Sequence, residues 1–133
     1  MIGTWLQWKP VEGLQSKYQL VKVTFDCDGL AIILASSETS SELFLQFKSP
    51  FSFRTTDEGK RLKLLNRLNE KFGDDFVRTS SLFMVYESEY LKWINDETYY
   101  MYENQNLYHF VILTDNEVLE ILSPLHPVTN MNK

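Results

Sequence analysis

Two histidines, His109 and His126, are the first residues to consider for chemistry, because histidine serves as a general acid or base and as a metal ligand. His109 lies in a predicted strand between Tyr108 and Phe110, and no HExxH or CxxC spacing joins either histidine to a zinc site. We therefore interpret His109 as a hydrogen-bonded strand histidine and His126 as a loop residue. The alternative is a small hydrolase or transferase that uses His109 with nearby carboxylates, which requires a concave pocket beside the ring.

Other patterns of catalytic chemistry are missing from the sequence. Its five glycines form neither a phosphate-binding loop nor a dinucleotide fingerprint, and no serine lies in a nucleophile-elbow pattern. Cys27 lies between Asp26 and Asp28, whose charges oppose formation of a thiolate. Residues 26–29 fit a turn better than a calcium loop, because residues 31–34 offer no side-chain oxygen. We predict no catalytic residue, no metal and no cofactor.

Length and charge limit the class of protein. The chain has 133 residues, which predicts a single domain over residues 1–133, and its formal net charge is −5. An acidic protein is repelled by nucleic acid and by anionic membranes, so we expect neither as a direct partner. A single cysteine excludes an intrachain disulfide. The first residues do not resemble a signal peptide and no apolar run is long enough to span a membrane, so we expect a cytoplasmic protein.

Residues 86–108, here called the acidic aromatic segment, contain six of the seven tyrosines together with Trp93. Their five carboxylates against Lys92 alone give −5 + 1 = −4, most of the net charge of the chain. Tyrosine and tryptophan are favoured at the centres of interfaces, and carboxylates attract a basic partner. The alternative is that aromatic residues such as Trp93 and Tyr108 pack the core while the charges keep the segment in solution. The residues predicted to bind a partner are Glu87, Glu89, Tyr90, Trp93, Asp96, Glu97, Tyr99, Tyr100, Tyr102 and Glu103.

A second charged surface is expected on a helix. Lys60, Lys63, Arg67 and Lys71 recur three or four residues apart, opposite the leucines. Such a face could bind phosphate, but four cations in an acidic domain are more typical of a solvated helix surface.

The elements that must position these residues follow from periodicity. Thr55 and Glu58 have the spacing of a capping box, and Gly73 is placed to end a helix in the left-handed conformation, which predicts a helix over about residues 56–72. A short helix is predicted over about residues 89–95. Runs of β-branched, aromatic and other apolar residues beside turn residues predict strands at residues 18–25, 30–35, 43–47, 82–86, 107–113 and 117–122, with a hairpin turn at Asp115 and Asn116. These elements predict an α+β fold, mainly an antiparallel sheet with the long helix on one face.

Three segments carry a family resemblance: FRTTDEG at residues 53–59, VYESEYLKW at 85–93 and YHFVILT at 108–114. With Asp28-Gly29-Leu30 near the start and Pro127 near the end, they resemble small bacterial immunity-type proteins that are encoded beside polymorphic or contact-dependent toxins. The resemblance implies a cytoplasmic, non-enzymatic inhibitor in contact-dependent growth inhibition, which binds one cognate toxin domain, often a nuclease. It assigns a role to no individual residue.

These observations lead to one hypothesis and two alternatives. The hypothesis is a protein-binding module that docks its acidic aromatic segment on a basic toxin domain and occludes the active site of that toxin. The first alternative is the enzyme that uses His109, and the second is a homodimer formed through the same aromatic residues.

Overall fold

The computed structural model describes residues 3–132, which form nine strands and two α-helices. The architecture is α+β, as the sequence predicts. The strands are β1 (Thr4–Gln7), β2 (Tyr18–Asp26), β3 (Gly29–Ser36), β4 (Glu42–Phe47), β5 (Ser52–Asp57), β6 (Leu82–Tyr86), β7 (Tyr108–Leu113), β8 (Glu117–Ser123) and β9 (Val128–Asn132). The helices are α1 (Leu62–Phe72) and α2 (Glu89–Glu97). No helix in this described part of the chain has the length and apolar character needed to cross a membrane.

The strands form two antiparallel sheets where the sequence analysis expected one. The five-stranded sheet has the order β1-β6-β7-β8-β5, and the four-stranded sheet has the order β2-β3-β4-β9. Successive hairpins build most of the second sheet, and β9 returns from the end of the described chain to pair with β4. The strands β1 and β9 were not predicted, because they are short and their residues do not follow a clear alternation of apolar and polar types.

The main core lies between the inner faces of the two sheets. Leu30, Ile32 and Leu34 alternate along β3 and are buried against residues of β7 and β8. Phe110 of β7 packs against Phe47 of β4, with ring centroids 5.3 Å apart. This period of two is the signature of strands that bury one face, and it explains why the strand predictions succeed.

The outer face of the five-stranded sheet is covered by the helices. Leu68 of α1 is fully buried against this face, in a second apolar cluster with Phe83 and Val111. The molecule therefore has three layers: the four-stranded sheet, the five-stranded sheet, and the helices.

The predicted start of the long helix at about residue 56 is wrong. Residues 52–57 are strand β5, paired with β8 along their whole length, so Thr55 lies opposite Leu119 and caps no helix. The side chain of Asp57 accepts a hydrogen bond from the amide of Gly59 and starts a 3-10 turn at Glu58–Lys60, after which α1 begins at Leu62. Sheet pairing along the whole strand has overridden a local capping signal.

The predicted end of α1 is confirmed. Gly73 follows the helix with φ 93°, and its amide donates to the carbonyl of Asn69 at 2.9 Å. Its ψ of 162° is extended rather than left-handed helical, a combination that glycine adopts without steric cost.

Candidate functional site

Helix α2 carries the first half of the acidic aromatic segment. The Ser88 hydroxyl accepts a hydrogen bond from the amide of Leu91 at 3.0 Å, which caps the helix. The negative charge of Glu89 in the first turn interacts favourably with the helix dipole. The helix runs two residues beyond its predicted end. Trp93, Asp96 and Glu97 are exposed residues of the helix, and the side chain of Trp93 is 51% exposed.

The end of α2 has an unusual backbone. Tyr99 and Tyr100 have φ of 52° and 60°, the left-handed region that usually takes glycine at this position. The amide of Tyr100 donates to the carbonyl of Asn95 at 2.7 Å, which satisfies one of the last carbonyls of the helix. Glu87 has φ 56°, so every residue other than glycine with positive φ in the described chain lies in the acidic aromatic segment. Each such residue costs about 1–2 kcal/mol, so the backbone is strained where the side chains are most exposed.

Residues 98–107 continue as a series of turns. The amides of Met101, Glu103 and Gln105 donate to carbonyls three residues earlier, at 3.0, 3.3 and 3.0 Å. Tyr102 packs edge-on against Phe51, with ring centroids 5.1 Å apart. The loop is therefore ordered by its own hydrogen bonds and fixed to the body of the protein at Tyr102.

Nine of the ten predicted partner-binding residues are exposed, and together they are here called the α2 surface. Tyr99 projects furthest, with 91% of its area exposed. An open cleft of about 380 Å³ is lined by the carboxylates of Asp96 and Glu97 and by Tyr99 and Tyr100. The exposed residues of the α2 surface are Glu87, Glu89, Trp93, Asp96, Glu97, Tyr99, Tyr100, Tyr102 and Glu103.

Tyr90 does not belong to the α2 surface, which corrects its assignment as an anchor for a partner. It lies on the inner side of α2 and is only 2% exposed. Its hydroxyl bonds to the Ser52 hydroxyl, with the two oxygens 2.5 Å apart, and the guanidinium of Arg54 lies 4.0 Å from the centre of its ring. The alternative that aromatic residues pack the core fits Tyr90, whereas Trp93 and Tyr108 are exposed.

A buried polar cluster lies beneath α2, centred on Glu120 of β8. One carboxylate oxygen of Glu120 accepts from Nε of Arg54 at 2.6 Å and from Nη1 of Arg61 at 3.0 Å. The other oxygen lies 3.1 Å from Nε2 of His109, and Nδ1 of that ring lies 2.7 Å from Oγ of Ser88. The cluster thus joins the sheet to the cap of α2 and to the turn that precedes α1.

The charges of the cluster hold Glu120 ionised. Burial by itself raises the pKa of this carboxyl, but the hydrogen bonds from His109 and Arg54 and their charges outweigh it and lower the pKa to about 2. Burial is also the main cause that raises the pKa of Tyr90, against the Ser52 hydrogen bond and the Arg54 charge. A carboxylate that is 3% exposed and surrounded by three donors has the role of a structural counter-ion.

His109 meets one of the two conditions for acid–base chemistry. Glu120 is within hydrogen-bond reach, and Ser88, His109 and Glu120 form a continuous chain of hydrogen bonds. However, His109 and Ser88 are both buried, and neither lines any of five clefts found over residues 3–132. The Ser88 oxygen also already accepts the Leu91 amide, so the geometry favours a hydrogen-bonded structural histidine.

Sequence reasoning missed the partners of His109. A signal was present, because Glu120 is the only charged residue in the otherwise apolar run VLEIL at residues 118–122. The register of the β7–β8 hairpin places Glu120 two residues from the position opposite His109, on the same face of the sheet. The contributions of Arg54 and Arg61 depend on the pairing of β5 with β8, which no local pattern indicates.

The basic residues predicted on one helix face are spread over two elements. Lys60 lies in the 3-10 turn, and only Lys63, Arg67 and Lys71 lie on α1. Lys71 donates to the carbonyl of Gly3 at 2.7 Å, and Nη1 of Arg67 lies 4.0 Å from the Glu89 carboxylate. Two of these cations are therefore engaged with the protein itself.

Asp26, Cys27 and Asp28 form an exposed group that could offer ligand atoms to a metal ion. The amide of Asp28 donates to Oδ1 of Asp26 at 2.8 Å, which is the hydrogen bond of an Asx turn and supports the turn interpretation.

Comparison with family models, with curated proteins and with solved structures gave no match to this chain.

Proposed function

We propose that this chain is a non-enzymatic protein-binding module, an immunity-type protein that neutralises a basic toxin domain by covering its active site. The observation that carries the proposal is the α2 surface, where large aromatic side chains and carboxylates are exposed together. The assignment to the immunity class rests on the family resemblance of the sequence, and the assignment to protein binding rests on this surface.

Exposure of the aromatic residues supports a role in binding. In the free protein Trp93, Tyr99 and Tyr100 are exposed to water. A partner that covers them removes a large apolar area from solvent, which stabilises the complex. Tyrosine and tryptophan lose little rotamer entropy on binding, and the hydrogen-bonded turns of residues 98–105 hold their backbone before the partner arrives. The strained φ angles of Tyr99 and Tyr100 fit a surface maintained for contact rather than for stability.

The charge of the α2 surface indicates the chemistry of its partner. Asp96 and Glu97 lie beside the exposed rings, with Glu103 on the following turn. Such carboxylates attract a basic protein and increase its association rate. A nuclease that binds phosphates has a basic active site, so a carboxylate-rich surface can occupy the place of the phosphates. The nucleic acid itself would be repelled.

The test of charge first reads the neighbouring reading frame for a toxin-like domain, and then uses that domain purified as an inactive variant. We expect the double variant Glu97→Lys and Glu103→Lys to lower the association rate about tenfold at low salt, with a smaller difference at high salt. The matched control is Glu12→Lys with Glu38→Lys, which makes the same charge change at exposed positions outside the α2 surface. Equal rates for the two double variants would overturn the assignment of the surface.

The test of the aromatic anchors measures dissociation of the same complex. Trp93→Ala and Tyr99→Ala should each weaken binding by about 2 kcal/mol, or roughly 30-fold, mainly through a faster dissociation rate. Co-expression with the active toxin gives the biological readout, since these variants should protect cells less well. If the intact chain neither binds the domain nor protects cells, the immunity proposal is wrong.

The alternative of a small hydrolase or transferase is favoured by one observation, the chain of hydrogen bonds from Ser88 through His109 to Glu120. For this chemistry α2 would have to move away from the sheet to admit a substrate. A purified protein that hydrolyses an activated ester, and loses that activity in Ser88→Ala and His109→Ala but not in Tyr99→Ala, would favour the enzyme over the binding module.

A further inference from the structure

Strand β2 forms an unpaired edge of the four-stranded sheet. It pairs with β3 on one side, and none of the strands in the described chain pairs with its other side. With nine residues it is also the longest strand, and it exposes Val21, Val23 and Phe25, the last by 62%. An edge of this kind can accept another strand through its free backbone groups.

The turn between β2 and β3 determines which backbone groups are free. Asp26 and Gly29 flank the two-residue turn, so they form a hydrogen-bonded pair, and pairs alternate from there along the hairpin. Asp26, Thr24 and Lys22 therefore direct their amides and carbonyls toward β3. Val23 and Phe25 direct theirs toward the empty side of the strand.

The side chains of these residues alternate between two faces. Val23 and Phe25 lie opposite the core residues Ile32 and Leu30, so they belong to the inner face. The ring of Phe25 contacts that of Phe53 on β5, with centroids 5.0 Å apart. Lys22, Thr24 and Asp26 belong to the outer face, toward solvent.

We propose that β2 pairs antiparallel with β2 of a second copy of this chain, about a two-fold axis at Thr24. The backbone amides and carbonyls that point away from β3 in one copy must face the same kind of groups in the other copy. This condition allows a two-fold axis at Val23, Thr24 or Phe25. Only the axis at Thr24 places Lys22 opposite Asp26 of the other copy, twice in the dimer. The axis at Val23 places Lys22 opposite threonine, and the axis at Phe25 places Asp26 opposite threonine.

The same register is favourable for the other side chains. Val23 lies opposite Phe25 of the second copy and exchanges two backbone hydrogen bonds with it, about four in the whole dimer, while Thr24 lies opposite Thr24. Both Phe25 rings then lie on the inner face near the two Phe53 rings, which covers their exposed area. Each copy thus covers exposed apolar side chains at the β2 edge of the other copy.

The extent of pairing is limited at both ends. The register of β2 shifts between Leu20 and Lys22, and the chain turns away after Asp26, so residues 22–26 alone can pair. A short pairing predicts a reversible dimer rather than a permanent one. The α2 surface lies beyond the five-stranded sheet, so the dimer would present two copies of it.

The first experiment measures mass against concentration by analytical ultracentrifugation, from about 1 to 200 µM. We expect a reversible dimer that Lys22→Asp and Asp26→Lys each weaken at least tenfold, because each places like charges opposite one another. The double variant Lys22→Asp with Asp26→Lys restores opposite charges and should restore the dimer. Asp26→Asn, which keeps an acceptor for the Asp28 amide, separates loss of charge from damage to the turn, and circular dichroism verifies the fold of each variant.

The second experiment tests the register by disulfide trapping in a Cys27→Ser background. Thr24→Cys should form a covalent dimer on oxidation, because directly opposite residues of a non-hydrogen-bonded pair have Cα atoms about 4.5 Å apart, within the range of a disulfide. Preferential trapping through Val23→Cys or Phe25→Cys would overturn the register. A protein that stays monomeric over the whole range would overturn the dimer. So would a dimer that β2 variants leave intact and Tyr99→Ala abolishes, because it would be formed by the α2 surface.

Discussion

The two sides of helix α2 carry the same kinds of residue and differ in what those residues contact. On the inner side, Tyr90 bonds to Ser52 and packs against Arg54 above the buried Glu120. On the outer side, taken here as the solvent-exposed residues of the helix and of the turns that follow it, Glu97 and Tyr99 face solvent. The comparison teaches that tyrosine and glutamate do not identify a binding surface by type. Those with protein partners hold the helix to the sheet, and those without are available to another molecule.

The inner side also explains how the outer side is held in place. Glu120 bonds to Arg54, Arg61 and His109, and His109 bonds to the Ser88 hydroxyl that caps α2. The orientation of α2 is therefore tied to three strands and to the turn before α1. If the comparison is correct, substitutions on the inner side change the free energy of unfolding, and substitutions on the outer side change binding.

The largest effect is expected from Glu120→Ala. This change leaves two arginines without their carboxylate and should lower the free energy of unfolding by about 3–5 kcal/mol, measured by urea denaturation. The matched control is Glu97→Ala on the outer side, which should change it by less than about 0.5 kcal/mol. Similar losses for the two variants would remove the distinction between the two sides.

The next effect is the acid dependence of stability. The pKa of Glu120 is about 2 in the folded protein against an ordinary value of 4.5, so the unfolded chain takes up this proton at the higher pH. The stabilisation is complete above about pH 4.5 and is lost as the pH falls toward 2, on the order of 3 kcal/mol in total. Urea denaturation at a series of pH values should give a flatter acid limb for Glu120→Gln, whereas parallel curves would contradict the lowered pKa.

A smaller effect is expected from Tyr90→Phe. The variant keeps the ring over Arg54 but removes the hydroxyl that bonds to Ser52, which should cost about 1 kcal/mol of unfolding free energy. Tyr99→Phe makes the same chemical change on the outer side, where no hydrogen bond of the hydroxyl is present in the described chain, and should leave the midpoint of thermal unfolding unchanged. A larger shift for Tyr99→Phe would show that the two tyrosines have been assigned the wrong roles.

The smallest effect concerns the strained backbone at the end of α2. Tyr99→Gly removes the steric cost of a φ of 52°, so it should be more stable than Tyr99→Ala by about 0.5–1 kcal/mol. Both variants lack the ring, so both should lose partner affinity to a similar degree. Calorimetric unfolding compares their stability, and binding of the toxin domain compares their affinity. Equal stability would mean that the positive φ carries no strain.

The secondary structure was largely accessible from the sequence, and the exceptions have identifiable causes. Strands β3 and β4 show a period of two in burial because they bury one face, whereas β7 and β8 are buried on both faces and were indicated by apolar runs that flank a turn. Helix α2 lies where predicted. The start of α1 was wrong because residues 52–57 gain more from pairing with β8 than from the capping box at Thr55, and that pairing is a contact between segments far apart in the chain.

The acidic aromatic segment was evident from composition, but its division into two sides was not. Tyr90 and Trp93 are three residues apart on α2, yet one is buried and the other is exposed. Helical periodicity places the two on one face, and their ring centroids are 6.2 Å apart, so only the position of the sheet decides which of them is covered. The sequence alone therefore could not separate Tyr90 from the other residues predicted to bind a partner.

What the sequence by itself determined is the local structure and the location of the charged and aromatic residues, because both depend on neighbours along the chain. Only the tertiary structure decided that Glu120, Arg54, Arg61 and His109 meet beneath α2, since the bonds of Glu120 to Arg54 and Arg61 join residues 66 and 59 positions apart in the sequence and depend on the pairing of β5 with β8. It also left the edge of β2 open and the α2 surface exposed.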